Sequence, residues 1–302
     1  MRPVKNQYVT LPILTEKQLT LCIKREDLTH PLISGNKYRK LKYNIATAKD
    51  QGFDTLLTFG GAYSNHIAAT AYAGKLHGLR TIGIIRGEEL EVKWKENPTL
   101  RKASEDGMHF KFVSREVYRQ KESHIFLQLL EKEFRNFYLL PEGGSNALAV
   151  KGCEEILDAE DRDFDIVCCA VGTGATIAGI ANSATSEQQV LGFPALKGDF
   201  LNQDIRKFAH KENWKLLTEY HFGGYAKVTP ELVHFINDFR EKTHVPLDSV
   251  YTGKMIFGIL DMVKKDYFPP KTKILAIHTG GLQGIAGVNQ RLKMKNLPLI
   301  HV

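Results

Sequence analysis

Lys37 lies in the stretch Ser34, Gly35, Asn36, Lys37, Tyr38, Arg39, Lys40, Leu41, Lys42. An amine there could attack an aldehyde and form a Schiff base if its pKa were depressed. The spacing of Leu41, Ile45 and Ala48 predicts a helix from Tyr38 to Lys49, and Gly35 permits a positive-φ turn before it. Lys37 then falls near the first helical turn, where the helix dipole disfavours a protonated amine. The plainer alternative is a solvated lysine in a basic stretch, the usual state of lysine.

Three further stretches carry candidate chemistry. Gly172, Thr173, Gly174, Ala175 and Thr176 follow an apolar run and open a small-residue helix. Glycines there let backbone N–H groups approach an anion, and the threonine hydroxyls can donate to phosphate oxygens. Neither the third glycine of a dinucleotide fingerprint nor the lysine of a nucleoside-triphosphate loop is present, which favours a monophosphate over those ligands; an unliganded turn of the same composition is the equal alternative. Ser64, Asn65 and His66 also stand at a helix start: they could hold a carboxylate, with Ser64 transferring a proton, or simply cap the helix. His66 by itself reads equally as a packing histidine. Tyr225 and Tyr251 are flanked by glycine-containing loops, where a phenol can act as acid or base, or be an ordinary buried tyrosine. Thr279 follows a strand end, either as a ligand contact or as a helix cap.

The elements that must position these groups alternate. Strands are predicted at 19–24, 55–59, 81–86, 109–113, 137–140, 164–171, 189–193 and 274–277. Between them, helices are expected at 67–77, 100–106, 116–134, from Ser145 or Asn146 toward Leu157, to Ala184, and over 200–211, 230–242 and 254–264, with 87–97 a surface loop. Such alternation implies right-handed crossovers and mainly parallel α/β sheets. With 302 residues, 43% of them hydrophobic, the chain can bury a large core. Its 41 basic against 34 acidic residues give +7, suited to an anionic ligand; the basic residues are dispersed, so nucleic acid is not expected as a partner. Cys22, Cys153, Cys168 and Cys169 lack metal-site spacing and read as reduced thiols in a cytoplasmic protein, with no metal. No run is long enough to predict a membrane span or a signal peptide.

Taken in order, the segments 24–27, 35–40, 60–66, 172–176, 247–254 and 278–281 closely resemble the aminocyclopropane-carboxylate deaminase and D-cysteine desulfhydrase family. That family belongs to the tryptophan-synthase-β-like, fold-type II pyridoxal-phosphate enzymes. The resemblance implies a large cofactor domain of residues 1–43 and 143–302, with a smaller substrate-closing domain, 44–142, inserted. It implies that Lys37 bonds to pyridoxal 5'-phosphate, that Asn65 contacts the cofactor's phenolic oxygen, and that Gly172, Thr173, Gly174, Ala175 and Thr176 hold its phosphate. Ser64, Asn65 and His66 would bind substrate, and Tyr225 and Tyr251 would face the reacting carbons. Ser34 and Ala175 stand where the family usually has glycine.

Ring-opening deaminases of the family carry glutamate at the position of Thr252 and leucine at that of Thr279; this chain has neither. A threonine hydroxyl can hydrogen-bond a neutral pyridine nitrogen but stabilises a carbanion less than a protonated ring does. The pattern is similar to the desulfhydrase branch. It implies a homodimeric lyase that takes D-cysteine or a related amino acid to pyruvate, ammonia and sulfide. The alternatives are aminocyclopropane-carboxylate deamination, or cofactor binding without turnover. A nucleotide-binding oxidoreductase built on Gly172–Thr176 lacks an acidic ribose-binding residue.

Overall fold

The computed structural model describes residues 4–33, 35–198 and 200–301, with Phe200 as backbone only; Ser34 lies outside the described residues. Among the described residues ten strands form two sheets: β1 (Asn6–Val9), β2 (Thr20–Lys24), β3 (Thr55–Gly60), β4 (Arg80–Arg86), β5 (Met108–Val113), β6 (Tyr138–Leu140), β7 (Ile166–Val171), β8 (Gln189–Pro194), β9 (Trp214–Leu216) and β10 (Lys273–Ile277). The larger sheet runs β1-β2-β10-β7-β8-β9 and the smaller β5-β4-β3-β6. Among the described residues only the β1–β2 pair is antiparallel. The architecture is thus α/β with two mainly parallel sheets flanked by helices, as the alternation predicts.

Apolar runs form the central strands because both faces of the sheet are covered. Along β7, Cys168 and Ala170 pack with Leu21, Ile23, Phe239 and Ile256 on one face, whereas Val167, Cys169 and Val171 pack with Cys22, Ile177 and Ile180 on the other. Each fully buried Ile or Phe of this kind stabilises the fold by about 1.5–3 kcal/mol. All four cysteines are buried free thiols. Among the described residues no helix is long and apolar enough to cross a membrane.

Register brings the candidate loops together. Ile277 of β10 pairs with Lys24 of β2 and with Cys169 of β7, so the turns leading to Lys37, Thr279 and Gly172 leave adjacent strand ends. In the smaller sheet Gly60 pairs with Ile85, so the turn to Ser64 leaves beside Arg86. Carboxyl ends of parallel strands are where open α/β sheets receive ligands.

Several boundaries differ from expectation. The 116–134 helix is two, Arg115–Arg119 and His124–Phe134, because the hydroxyl of Ser123 accepts from Phe126 N and starts a new helix. Asn146, not Ser145, caps the next helix, which ends at Cys153 (Ala147–Cys153) instead of near Leu157. The helix expected over 200–211 stops at Arg206, and the 100–106 helix starts at Pro98 on an Asn97 cap. The 87–97 loop contains two short 3-10 turns. Strands β1 and β9 and the helix Pro12–Glu16 are too short for periodicity to reveal.

Candidate active site

The helix carrying Lys37 spans Asn36–Asp50, and Gly35 enters it at φ 64°. A Cβ on Gly35 would lie 2.0 Å from the Thr279 carbonyl oxygen, so only glycine lets the two loops meet. Asn36 N donates to that same oxygen, and Arg39 is clamped to the fully buried Glu26 carboxylate at 2.7 and 3.0 Å. Lys37 Nζ, half-buried, donates to Asn36 Oδ1 at 3.4 Å. Burial, and then the positive charge of Lys40, lower its pKa to about 7. The depression is the one expected, with surrounding protein and a second lysine as its causes.

Opposite stands the helix Ala175–Ser183, entered through Gly174 at φ 90°. Its first N–H groups have no intrahelical acceptors. Thr176 Oγ1 accepts from Asn36 Nδ2 at 2.9 Å, tying this turn to Lys37's neighbour. Thr173 Oγ1 bonds the Ser145 hydroxyl and accepts from Lys40 Nζ at 3.4 Å; Lys40 also donates to the Gly143 carbonyl at 3.0 Å. Burial lowers the Lys40 pKa too. Ala175 is buried within the apolar cluster on the helix-covered face of the sheet. Gly172 lies under Tyr251, whose Oη would be 3.4 Å from a Cβ built there.

From the smaller sheet, Ser64 caps the helix Asn65–His77 by accepting from Ile67 N at 3.3 Å. The capping alternative is therefore realised, with the Ser64 O–H still able to donate. Asn65 faces Gly281 and Gly284: a Cβ on Gly281 would meet its Nδ2 at 3.0 Å. His66 is 2% exposed, and its Nε2 lies 2.8 Å from Thr58 Oγ1. The Thr58 hydroxyl donates to the Leu140 carbonyl at 3.0 Å, which assigns the ring proton to Nε2. Nδ1 is left as a buried acceptor without a partner among the described residues. Burial, then Lys37 and Lys40, hold the His66 pKa well below the usual histidine range, so the ring is neutral.

Tyr225 and Tyr251 form a T-shaped pair with centroids 6.2 Å apart. Burial raises both phenol pKa values, Tyr251's most, so at neutral pH both are proton donors and neither is a base. Lys254 fixes the Tyr225 loop by donating to the carbonyls of His221 and Gly224, each at 2.9 Å. The Thr252 hydroxyl is fully buried and spent: it donates to Asp248 Oδ1 at 2.8 Å and accepts from Asp248 N at 3.0 Å. The Thr279 hydroxyl has no protein partner among the described residues, and its turn is held by His278, whose Nδ1 accepts from Gly280 N at 3.2 Å. Thus the loops of Lys37, Asn65, Thr176, Tyr251 and Thr279 converge, whereas the Thr252 hydroxyl points back into its own helix start.

Residues 4–280 match the family model described as pyridoxal-phosphate dependent enzyme. The chain belongs to that family. Its members include an Arabidopsis thaliana protein named bifunctional D-cysteine desulfhydrase/1-aminocyclopropane-1-carboxylate deaminase, mitochondrial, 34% identical over 88% of this chain and 73% of its own. A Thermotoga maritima protein provisionally named 1-aminocyclopropane-1-carboxylate deaminase is 30% identical over 97% of this chain and 98% of its own. A solved structure described as an ACC deaminase homologue superposes with TM-score 0.82 at 28% identity, over 97% of this chain and 94% of that one. The protein is a pyridoxal-phosphate-dependent lyase of the aminocyclopropane-carboxylate deaminase and D-cysteine desulfhydrase group, with the fold-type II architecture.

The residues present fit the pyridoxal-phosphate family's cofactor. A lysine with pKa about 7 is substantially neutral at physiological pH, as condensation with an aldehyde requires. The positive-φ turn at Gly174, two threonines and a helix start suit a phosphate. Sequence reasoning gave no role to Asn36, Lys40, Asp248 or Arg86. The first three lie inside or beside motifs already singled out; Arg86 had only its place at the end of an apolar strand as a signal.

Proposed function

We propose that this enzyme catalyses α,β-elimination on D-cysteine or a closely related β-substituted amino acid, giving pyruvate, ammonia and sulfide. The observation that carries the reading is the pair Thr252 and Thr279. The first has its hydroxyl hydrogen committed to Asp248; the second, whose backbone carbonyl meets Gly35 just past the end of β10, has a hydroxyl with no partner among the described residues. Thr252 offers no carboxylate to hold a proton on the cofactor ring, and the neighbouring Asp248 carboxylate is engaged by three backbone N–H groups and the Thr252 hydroxyl. Thr279 is the natural partner for a neutral ring nitrogen. Deamination of aminocyclopropane carboxylate is the second reading, favoured by the bifunctional name of the Arabidopsis relative.

When bound, pyridoxal phosphate supplies an electron sink for negative charge at the substrate α-carbon. Gly172–Thr176 would hold its phosphate, Lys37 its aldehyde carbon and Asn65 its phenolic oxygen. Ser64, donating its O–H, and the first N–H groups of the Asn65–His77 helix bind the substrate carboxylate. Lys37, once displaced, is a base matched to neutral pH and takes the α-proton at Nζ. Tyr251, protonated and polarised by Tyr225, gives a proton to the departing sulfur. His66, neutral and donating its Nε2 proton to Thr58, shapes the carboxylate pocket and transfers no proton. Residues 44–142 act as the unit that closes on the substrate and 1–43 with 143–302 as the cofactor-holding unit, in a cytoplasmic homodimer.

The test is a visible spectrum of the purified holoenzyme, followed by separate additions of D-cysteine, L-cysteine and aminocyclopropane carboxylate with assays for pyruvate and 2-oxobutyrate. Pyruvate from D-cysteine supports the proposal. If 2-oxobutyrate from the cyclopropane is the only product, the deaminase reading replaces it.

A further inference from the structure

At the C-terminal end of β4, Arg86 is exposed and, among the described residues, has no ion pair. Its Nη2 would lie 3.6 Å from a Cβ on Gly61, in the turn that leads to Ser64. Its guanidinium stacks 5.6 Å from the Tyr118 ring centroid. Its positive charge acts in the direction of lowering the pKa of Tyr225, the phenol paired with Tyr251, against the larger effect of burial. The neighbouring carboxylates are engaged elsewhere: Tyr118 Oη donates to Glu142 at 2.8 Å with Lys121 3.3 Å away, and Glu89, which lies against Gly87, pairs with Arg115. A guanidinium stacked on an aromatic face, oriented and without a counter-charge, is built to receive an anion in a planar, bidentate way.

We infer that Arg86 is a specificity-determining residue that recognises a negatively charged group on the β-carbon of the substrate. The inference rests on the amino-acid elimination proposed above. In the proposed arrangement the α-carboxylate meets Ser64 and the helix behind it, and Arg86, at the end of the neighbouring strand β4 and against Gly61, would meet the β-substituent. The preferred class is then amino acids with an acidic β-substituent, of which the cysteine thiolate is the smallest member. Alanines with uncharged β-substituents bind without this contact.

Aspartate and asparagine separate charge from shape, because they are nearly isosteric and neither has a good leaving group. Their D and L forms are titrated into the wild-type and Arg86→Gln holoenzymes, with visible absorbance reporting binding and pyruvate release from 3-chloroalanine reporting basal turnover. In the wild type the better enantiomer of aspartate binds about tenfold or more tightly than the matching asparagine, and Arg86→Gln removes that preference. Turnover of 3-chloroalanine, which has a neutral β-substituent, falls by a smaller factor than aspartate affinity does, and Arg86→Lys restores part of the preference. A wild-type enzyme that binds both ligands equally overturns the inference and leaves the lyase reading intact. So does an equal loss of aspartate, asparagine and 3-chloroalanine in Arg86→Gln, which would place Arg86 on the α-carboxylate. If no amino acid alters the wild-type spectrum or is turned over, both readings fail together.

Discussion

Lys37 combines two properties that a surface lysine lacks: its amine is held next to Asn36, and its pKa is lowered to about 7 by burial and by Lys40. Because the depression disfavours the charged amine, the neutral fraction rises with pH and is nearly complete a unit or so above 7. Covalent capture of pyridoxal phosphate by the cofactor-free protein, trapped with borohydride and read by mass, should therefore rise through pH 7 and level off near 8. Lys37→Ala should show no trapped adduct at any pH. Tyr251 works in the opposite sense, since burial raises its pKa well above the usual phenol value and keeps it protonated. Tyr251→Phe should lower kcat for D-cysteine by about a hundredfold with little change in cofactor absorbance. The stretch around Lys37 carries this chemistry visibly in the sequence; the causes of the shift do not, because Lys40 becomes a neighbour of the amine only once the helix has formed.

Element junctions set the precision of the site. The Asp248 carboxylate accepts from the backbone N–H groups of Val250, Tyr251 and Thr252 and from the Thr252 hydroxyl, so one side chain both starts the Thr252–Lys264 helix and aims Tyr251. Asp248→Ala should cost about 1–3 kcal/mol in urea-unfolding stability, as expected for stranded buried donors. Gly35→Ala combines positive φ with a 2.0 Å clash against backbone and should abolish cofactor loading. Gly52→Ala, at φ 75° with nothing within 4 Å, should load normally and lose only about 1 kcal/mol. The central strands and most helices were legible from apolar spacing, and the strand-end position of the Ser64, Gly172 and Thr279 turns followed from them. The split near Ser123 and the edge strand β9 were not, since a single hydroxyl cap and a three-residue pairing leave no periodic trace.

At the scale of the whole molecule, the groups proposed for cofactor and substrate follow strands of both sheets: Lys37 comes after β2 and Thr279 after β10 of the larger, while Ser64 comes after β3 and Arg86 ends β4 of the smaller. Ligand binding to the folded chain alone stabilises it by mass action, about 2.7 kcal/mol at a hundredfold excess over Kd. The holoenzyme should therefore melt several degrees above the cofactor-free protein in a calorimetric scan, and Lys37→Ala should lose most of that increment. Family membership was legible because six segments occur in order along the chain. The engagement of Thr252 with Asp248 was not, because spacing alone cannot say which acceptor a hydroxyl finds. Finally, Cys22, Cys153, Cys168 and Cys169 are each 0% exposed, spread over two faces of the larger sheet and the helices beneath it. A thiol-reactive dye should therefore label none of them while the sheet is intact and all four once it opens. The protein thus contains its own clock for global unfolding, readable without any introduced probe.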